Sequence, residues 1–289
     1  MNHHQNNKTI ITVAITGSQG SKKLNPNTPV TNDEMIEDAY QCYLHGASIV
    51  HIHVKADDQE TYEINTNSIS YIIEELAKKC DIIVNVSTSG EDFTYQGLTI
   101  KGELDSIQKK RINILDLKPE MASYDIPTMN IGEKIFMNPV PFLRQAGQKM
   151  QELSILPEIE IFNLSDIHQA EQLIRQGYLS EKANFQLCLG IEGGIPASVK
   201  NLVILHDALP KGVNWSAFGI SRMHLPIMYT TLAFGGNIRV GLEDNLYYSY
   251  GQLTTNVELV KRSARVIKEY GNSVATPAEA RDILGVYSK

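Results

Sequence analysis

Basic clusters, paired cysteines and long apolar runs are missing from this sequence, and each absence excludes a class of protein. The chain has 26 Lys and Arg against 33 Asp and Glu, a net charge of -7 and no basic stripe, so nucleic acid is not an expected partner. The three cysteines include no CxxC pair, which indicates reduced core thiols and a cytoplasmic protein. No apolar run reaches the roughly 18 residues of a membrane span, so we expect no membrane association.

Glycine-rich nucleotide-binding motifs are also missing. The first apolar run, residues 10–15, leads into the sequence TGSQG, which is neither the dinucleotide fingerprint nor a phosphate-binding loop. This disfavours an open doubly wound sheet. No Ser/Gly-rich linker or shift in composition divides the chain, so we predict one domain over residues 1–289. Residues 1–8 are polar, without a signal-peptide core, and are predicted to form a disordered tail.

Eight short apolar runs alternate with segments of helical character along the chain. We predict strands at residues 10–15, 49–55, 81–87, 112–117, 156–161, 185–189, 214–219 and 238–240. Capping-box spacing at Thr31, Thr255 and Thr276 marks the starts of three helices, the last two of which follow the eighth run. This alternation is typical of a (β/α)8 TIM barrel, here with an extra C-terminal helix.

The second predicted strand, residues 49–55, has the sequence IVHIHVK and carries the most informative pattern. Successive side chains of a strand alternate faces, so positions 50, 52 and 54 form an apolar face that suits packing under a helix. His51 and His53 then point into the barrel, where two unpartnered imidazoles would be costly to bury. They are either hydrogen-bonded core histidines or metal ligands, and zinc is typical of such a pair when a carboxylate completes the set.

A candidate third ligand follows the eighth predicted strand. In a TIM barrel the chemistry lies at the C-terminal ends of the strands, and strand eight lies close to strands one and two once the barrel closes. Either Glu243 or Asp244 therefore suits a metal held by the histidines. Arg239 would either hold Asp244 in register as a base or form a structural ion pair with it.

Weaker signals place other polar residues at the same end of the barrel. Ser87 follows strand three, and Lys118, Glu120 and Ser123 are placed after the fourth predicted strand, although serines commonly only cap helices. A glycine pair after strand six suits any tight turn. The remaining candidates are Gln19, Glu158, Glu160, Gly193, Gly194, Ser221 and Arg222.

Taken together, several of these motifs carry a resemblance. They are Ala14-Ile15-Thr16-Gly17, His51-Ile52-His53, Val86-Ser87-Thr88, Lys118-Pro119-Glu120-Met121-Ala122, Pro157-Glu158-Ile159-Glu160, Gly190-Ile191-Glu192-Gly193-Gly194 and Ile238-Arg239-Val240-Gly241-Leu242-Glu243-Asp244-Asn245. In this order, over roughly residues 10–284, the chain resembles the beta-keto acid cleavage enzyme family. The HxH strand combined with the RxGxEDN run is the specific part of the match.

The resemblance implies a barrel, dependent on zinc or another divalent metal, that exchanges acyl groups between a β-keto acid and acetyl-CoA. The products would be acetoacetate and a new acyl-CoA, and the enzyme would be a homo-oligomer, a tetramer or larger. A divalent metal suits this chemistry because it stabilises an enolate. The residues implicated are His51, His53 and Glu243 as metal ligands, Asp244 as base oriented by Arg239, Ser87, Ser123, Gln19 and Glu158 at the substrate, and Gly193 and Gly194 at coenzyme A.

Four positions depart from the family pattern. Gln19 stands where relatives acting on an aminated keto acid carry Glu, and a neutral amide gives up the attraction to a substrate ammonium. We therefore predict that the preferred substrate is not the cationic 5-amino acid. Ser123 replaces Thr and keeps the hydroxyl. Ser89 stands where Gly is usual and Met223 where an aromatic is common, which bears on the loop shape and on how coenzyme A is held.

Two other hypotheses fit the same residues. One is a divalent-metal aldolase or hydrolase on a similar barrel, since two histidines and a carboxylate also serve other metal chemistry. The other is a catalytically inactive barrel that serves as a scaffold, which the intact set of candidate ligands and base disfavours. Dependence of the reaction on coenzyme A separates these hypotheses.

Overall fold

The computed structural model describes residues 8–18, 20–56, 58, 63–89, 93–94, 100–132 and 134–286. Eight parallel strands close into a barrel in which each strand pairs with the next along the chain and the eighth pairs with the first. The strands are β1 Ile11–Ala14, β2 Ile49–Ile52, β3 Ile83–Val86, β4 Met121–Asp125, β5 Leu156–Ile161, β6 Asn184–Leu189, β7 Trp215–Gly219 and β8 Asn237–Val240. The predicted TIM barrel is confirmed.

Helices alternate with the strands, and the described residues contain nine of them. They are α1 Asn32–Leu44, α2 Thr66–Lys79, α3 Ile100–Ile114, α4 Val140–Glu152, α5 Leu164–Arg175, α6 Val199–Ala208, α7 His224–Ala233, α8 Asn256–Tyr270 and α9 Pro277–Leu284. Two of them, α8 and α9, follow β8, so the expected extra C-terminal helix is present. Thr31, Thr255 and Thr276 form the predicted capping boxes at the starts of α1, α8 and α9.

Short helices and strands lie between these main elements. Two 3-10 helices lie at Leu115–Leu117 and Ser221–Met223. Outside the barrel, the short strands are Lys8–Thr9 with Ser273–Val274, Tyr247–Ser249 with Gln252–Leu253, and Phe93–Thr94 with Lys134–Phe136 and Met129–Ile131. Lys8 therefore begins a strand, whereas residues 1–7 of the predicted tail lie outside the described residues.

The predicted strand at residues 112–117 is wrong. These residues end α3 and form the 3-10 helix Leu115–Leu117, and their apolar side chains are buried on a helical face. The true fourth strand, Met121–Asp125, has the sequence MASYD and was hidden because its inward positions 123 and 125 are polar. Lys118 and Glu120 consequently precede β4, at the N-terminal end of the barrel. Arg281 of α9 donates to Glu120 there at 2.9 Å, so Lys118 and Glu120 lie away from the candidate active site.

The inward and outward faces of β2 follow the predicted alternation. Val50 and Ile52 belong to a buried cluster with side chains of α1 and α2, including Met35 and Ile72. Ile49, on the opposite face, belongs to a second cluster that fills the N-terminal end of the barrel. That cluster contains Ile49, Ile83, Met121 and Leu156 together with Ala280 and Leu284 of α9. The helix α9 therefore covers the N-terminal end of the barrel.

Two compositional expectations can be compared with the structure. All three cysteines, Cys42, Cys80 and Cys188, are free, as the absence of a CxxC pair predicted. Among the described residues, no helix is both long and apolar enough to cross a bilayer.

Candidate active site

A cavity of about 170 Å³ opens at the C-terminal ends of the strands, and its wall is strongly charged. His51 and His53 of the β2 segment lie on one side. Residues from the ends of β4, β5 and β8 complete the polar wall, namely Asp125, Glu160, Arg239, Glu243 and Asp244. Phe136, Phe162 and Phe218 supply apolar surface. Charged groups beside aromatic walls in a small cavity are typical of an active site.

His51, His53 and Glu243 bring three ligand atoms together in this cavity. The Nε2 atoms of the two histidines lie 3.0 Å apart, and Glu243 Oε1 lies 3.9 Å from the nitrogen of His51 and 3.5 Å from that of His53. One ligand atom from each residue falls within 4.8 Å of the others. This spacing matches a set that closes on a single cation.

The chemistry of these donors fits a divalent metal. Burial lowers the pKa of His51 well below its usual value despite the neighbouring Glu243, which favours the neutral imidazole that binds metals. Glu243 Oε2 is buried without a hydrogen-bond partner in the structure. A buried carboxylate oxygen with no donor is costly, and a cation between the three residues would satisfy it.

Arg239 is the centre of the charged network. Its Nε and Nη2 donate to the two oxygens of Asp244 at 3.0 and 3.1 Å, and Nη2 also donates to Glu243 at 2.7 Å. Nη1 donates to Glu160 at 3.3 Å, and the guanidinium lies 4.4 Å from the centre of the Phe218 ring. Because three carboxylates surround this buried cation, its orientation and theirs are fixed together.

The buried carboxylates of Glu243 and Asp244 differ in acidity. Burial alone would raise the pKa of Glu243, but the positive charge of Arg239 outweighs it and lowers that pKa. Burial raises the pKa of Asp244 to about 6, with Glu243 adding to the rise and Arg239 opposing it. Glu243 is thus held as a permanent anion that suits a ligand, whereas Asp244 has the proton affinity of a general base.

Two glycines explain why the sequence turns as it does around Glu243. Gly241 has φ +152°, and a Cβ there would lie 1.9 Å from the Ala14 carbonyl oxygen of β1. A Cβ on Gly17 would lie 2.5 Å from Glu243 Cγ. Neither position therefore accepts a side chain without moving Glu243 or the β8 loop, Gly241–Asn245.

Ser87 and Ser123 come together at the ends of β3 and β4, although neither contributes to the cavity wall. Ser123 Oγ accepts from the Thr88 amide at 3.0 Å, and Ser87 Oγ accepts from the Ser89 amide at 3.2 Å. Ser89 does reach the wall and donates to Asp125 at 3.3 Å. The hydroxyls of both serines accept hydrogen bonds from amides of the segment that follows β3. Neither serine begins a helix, so helix capping does not account for them.

Glu158 and Glu160 lie in different layers of the barrel. Glu158 is fully buried below the cavity, where it accepts a hydrogen bond of 2.6 Å from Asn85, and it does not contribute to the wall. Glu160, two residues nearer the C-terminal end of β5, lines the cavity and pairs with Arg239. The substrate role predicted for Glu158 stays a prediction, and the geometry brings Glu160 to the cavity.

The remaining predicted residues lie outside the cavity or outside the described chain. Gly193 packs against the backbone of Asn130, whose oxygen would lie 1.9 Å from an added Cβ, and Gly194 packs against Phe162. The glycine pair thus forms a packed turn, and its role at coenzyme A stays a prediction. Gln19 lies outside the described residues.

Asp125 and Arg111 form part of the site that sequence reasoning missed. Arg111 of α3 is 2% exposed, with its guanidinium 4.2 Å from the centre of the Phe142 ring. It donates to the Thr88 carbonyl and, at 2.7 Å, to Asn138, and its Nη2 lies 3.7 Å from Asp125. Arg111 thereby fixes the segment after β3 against the end of β4. Misplacing the fourth strand hid Asp125, and no local signal marks Arg111.

Comparison with known proteins gives a consistent result. A sequence model of the beta-keto acid cleavage enzyme family matches residues 8–286. Two 3-keto-5-aminohexanoate cleavage enzymes, from Acetoanaerobium sticklandii and Fusobacterium nucleatum, are 34% and 35% identical to it over 282 residues, covering 96% of this chain and 98% of each relative. The 3-oxoadipate:acetyl-CoA acetyltransferase of Cupriavidus necator is 33% identical over 284 residues, covering 96% of this chain and 95% of that protein.

A solved structure extends the likeness to three dimensions. The ternary complex of ObcA with C4-CoA adduct and oxalate superposes with a TM-score of 0.77 over 90% of this chain and 68% of that chain. At 19% identity this likeness shows a shared fold. The sequence matches, in contrast, run from β1 to α9 and include every strand that carries a cavity residue. The chain belongs to the beta-keto acid cleavage enzyme family.

Proposed function

We propose that this enzyme condenses a β-keto acid with acetyl-CoA and releases acetoacetate and a new acyl-CoA. The observation that carries the proposal is the convergence of His51, His53 and Glu243 on one point, directly beside the Arg239–Asp244 pair. In the overall exchange, R-CO-CH2-COO⁻ and CH3-CO-SCoA give R-CO-SCoA and CH3-CO-CH2-COO⁻, so no oxidant, reductant or water is consumed.

The three convergent residues would hold the metal, with zinc as the proposed ion because two histidines and a carboxylate are among its typical catalytic ligands. When bound, the metal would supply Lewis-acid stabilisation of negative charge that develops on a substrate oxygen. Glu243 is suited to this task because Arg239 keeps it ionised. Metal ligation requires the neutral imidazole, so histidine ligands add no positive charge of their own.

Asp244 is the proposed base that removes a proton from the carbon between the keto and carboxylate groups. Its bidentate contact with Arg239 fixes the carboxylate, and burial gives it a pKa of about 6. A base with a pKa near the working pH is the most effective in proton transfer. The family resemblance assigns the grip on the substrate carboxylate to Ser87 and Ser123, which lie behind the wall, and Ser89 is the neighbouring hydroxyl that lines the cavity.

The acyl exchange that follows needs no nucleophile from the protein. The electron pair left at the deprotonated carbon forms a bond to the acetyl carbonyl carbon, and the thiolate of coenzyme A moves to the original keto carbon. Cleavage of the bond between that carbon and the former C2 returns the electron pair, and a proton completes acetoacetate. Arg239 and Glu160 enclose this step within the small cavity.

A panel of β-keto acids incubated with the metal-loaded enzyme and acetyl-CoA tests the proposed function. We expect acetoacetate and the matching acyl-CoA to appear in equal amounts for at least one acid, and neither product without acetyl-CoA. Mass spectrometry of the thioesters measures the outcome. Release of products without coenzyme A would instead indicate an aldolase or a hydrolase.

The same panel tests the proposed preference against a cationic substrate. Because Gln19 carries no charge, the 5-amino keto acid gains no ion pair at that position. We expect its kcat/KM to be no higher than that of an uncharged β-keto acid of similar size, as measured by acetoacetate formation. A strong preference for the amine would contradict this proposal while leaving the acyl exchange intact.

Replacing Arg111 with methionine is expected to weaken binding of the β-keto acid. The substitution removes the contacts to Thr88, Asn138 and Asp125, so the segment that carries Ser87 loses its support. Small displacements of positioning groups lower catalytic efficiency on the order of 10- to 100-fold. We expect this loss as a rise in the KM for the β-keto acid, while the KM for acetyl-CoA stays constant. Steady-state kinetics with each substrate varied in turn measures the split.

The matched control for this prediction is Arg144→Met on α4. Arg144 is exposed and lies 5.2 Å from the Tyr178 ring, so it reproduces the loss of an arginine over an aromatic ring without touching the cavity. We expect its kinetics to be those of the unmodified enzyme. Equal rises in both KM values for Arg111→Met would instead indicate a general loss of structure.

A further inference from the structure

The cavity that holds the histidines is too small for a whole acetyl-CoA molecule. Its volume is about 170 Å³, whereas pockets for drug-sized ligands have roughly 300–1,000 Å³, and coenzyme A is a large ligand by that measure. Only the keto acid and the acetyl end of the thioester fit there. The nucleotide part of coenzyme A must therefore lie in a neighbouring depression at the same end of the barrel.

A second cavity of about 570 Å³ meets this requirement, and we name it the tyrosine cavity. It lies between the 3-10 helix Ser221–Met223 and the hairpin of Tyr247–Ser249 with Gln252–Leu253. The two cavities share the β8 loop, since Asp244 lines the first and Asn245 the second. The Ser221 amide donates to the Asp244 carbonyl oxygen at 3.0 Å, which ties the far wall to the same loop.

The charge of the tyrosine cavity is opposite to that of the first cavity. None of the residues that line it is acidic, and the cationic Arg222 is among them, in a chain whose net charge is -7. Arg222 is exposed, and within the described ranges it forms no ion pair with a carboxylate. In barrels of this type the loops after strands seven and eight frequently bind phosphate groups. An uncompensated guanidinium on such a loop is complementary to a phosphate.

Aromatic rings supply the second part of the recognition chemistry. Tyr247 and Tyr250 are 44% and 106% exposed, so their ring faces are open to a planar base. Tyr248 is held by Arg262, which lies 3.3 Å from its ring centre and donates to its carbonyl oxygen at 2.7 Å. Arg262 thereby holds the hairpin in place. The rings of Tyr247 and Tyr250 stay free to stack on a nucleotide base, as aromatic side chains do in proteins that bind single strands.

We propose that the tyrosine cavity binds the adenosine and phosphate part of coenzyme A, with Arg222 at the phosphates and the exposed tyrosine rings against the adenine. This assignment deepens the proposed acyl exchange and rests on it. The pantetheine arm then passes over the β8 loop from Asn245 to Asp244 and places the thioester at the base. The packed Gly193–Gly194 turn is not needed for this path.

The first test measures binding without turnover. Calorimetric titration with coenzyme A and with adenosine 3′,5′-bisphosphate is made on the metal-loaded enzyme and on its Arg222→Gln and Tyr250→Ala variants. We expect Arg222→Gln to weaken both ligands at least tenfold and Tyr250→Ala to weaken them severalfold. The control is Arg175→Gln on α5, an exposed arginine that pairs with Glu171 at 3.6 Å and does not line the tyrosine cavity, for which no change is expected.

The second test measures kinetics and separates this inference from the proposed function. Arg222→Gln is expected to raise the KM for acetyl-CoA at least tenfold and to leave the KM for the β-keto acid constant. Unaltered binding and unaltered KM in both variants, in an enzyme that turns over, would overturn the tyrosine cavity as the nucleotide site and leave the acyl exchange standing. Absence of turnover, combined with Arg222-dependent binding of the bisphosphate, would overturn the exchange alone.

The exposed tyrosines also suit contact with a second copy of the chain, and the same variants detect it. Light scattering at several protein concentrations gives the mass of each variant. A drop in mass for Tyr250→Ala, with binding of adenosine 3′,5′-bisphosphate unchanged, would assign the tyrosine cavity to a subunit interface and overturn its assignment to the nucleotide.

Discussion

Replacing Glu243 with glutamine is expected to abolish binding of the proposed divalent metal and almost all turnover. The amide keeps the shape of the side chain and can still accept a hydrogen bond from Arg239, so the packing of the β8 loop changes little. The substitution removes the negative charge that would attract a cation held between Glu243, His51 and His53. Removal of an outer-shell partner alone costs roughly 10–100-fold in metal affinity, so removal of a ligand charge should cost more than that.

The measurement is metal content per subunit by plasma mass spectrometry, followed by acetoacetate formation at saturating substrates. We expect the Glu243→Gln protein to retain little metal after dialysis and kcat to fall by about 10³-fold or more. A large excess of metal should restore part of the activity, because the histidines remain. Full metal content with normal turnover would contradict the assignment of Glu243 as a ligand.

The second large effect is expected from Asp244→Asn, which should stop proton removal while sparing the metal. The amide cannot accept the proton from the substrate carbon, and the loss of a positioned base costs roughly 10²–10⁴-fold. Arg239 retains Glu243 and Glu160 as partners, so the ligand set stays in place. We therefore expect normal metal content together with a kcat lowered by that factor.

Exchange of the C2 hydrogens of the β-keto acid for deuterium in D2O measures proton removal separately from the acyl exchange. Followed by NMR without acetyl-CoA, and corrected for the uncatalysed rate, exchange should be rapid in the unmodified enzyme and reduced to background in Asp244→Asn. Glu243→Gln serves as the comparison, because reloading with excess metal should recover exchange in that variant and not in Asp244→Asn. Undiminished exchange in Asp244→Asn would assign the base to another residue.

The sequence predicts most of this fold because local chemistry and tertiary structure agree at most positions. The alternation of residues 49–54 correctly separates the outer apolar face from the inward histidines, since a strand has a period of two. The three capping boxes correctly mark helix starts, because a threonine and a glutamate three residues later satisfy the free amides there. Closure of the barrel, which places β8 beside β1 and β1 beside β2, brings His51 and His53 together with Glu243.

The fourth strand could not be found by hydrophobicity, and the reason is physical. Its inward residues Ser123 and Asp125 face the polar layer of the barrel, so MASYD lacks an apolar run. Residues 112–117 do have one, but their apolar side chains pack on the helical face that covers the barrel. Arg111 was equally hidden, because its role depends on contacts with Thr88 and Asn138 that no short-range pattern encodes.

The helix α9 has a kinetic consequence. Because α9 covers the N-terminal end of the barrel, the described part of the cavity that holds the histidines opens at the C-terminal end. Under the proposed acyl exchange, the small β-keto acid binds deepest and therefore enters before the thioester, whose bulk then covers the opening. The expected kinetics are those of an ordered mechanism in which the thioester product leaves before the small acid product.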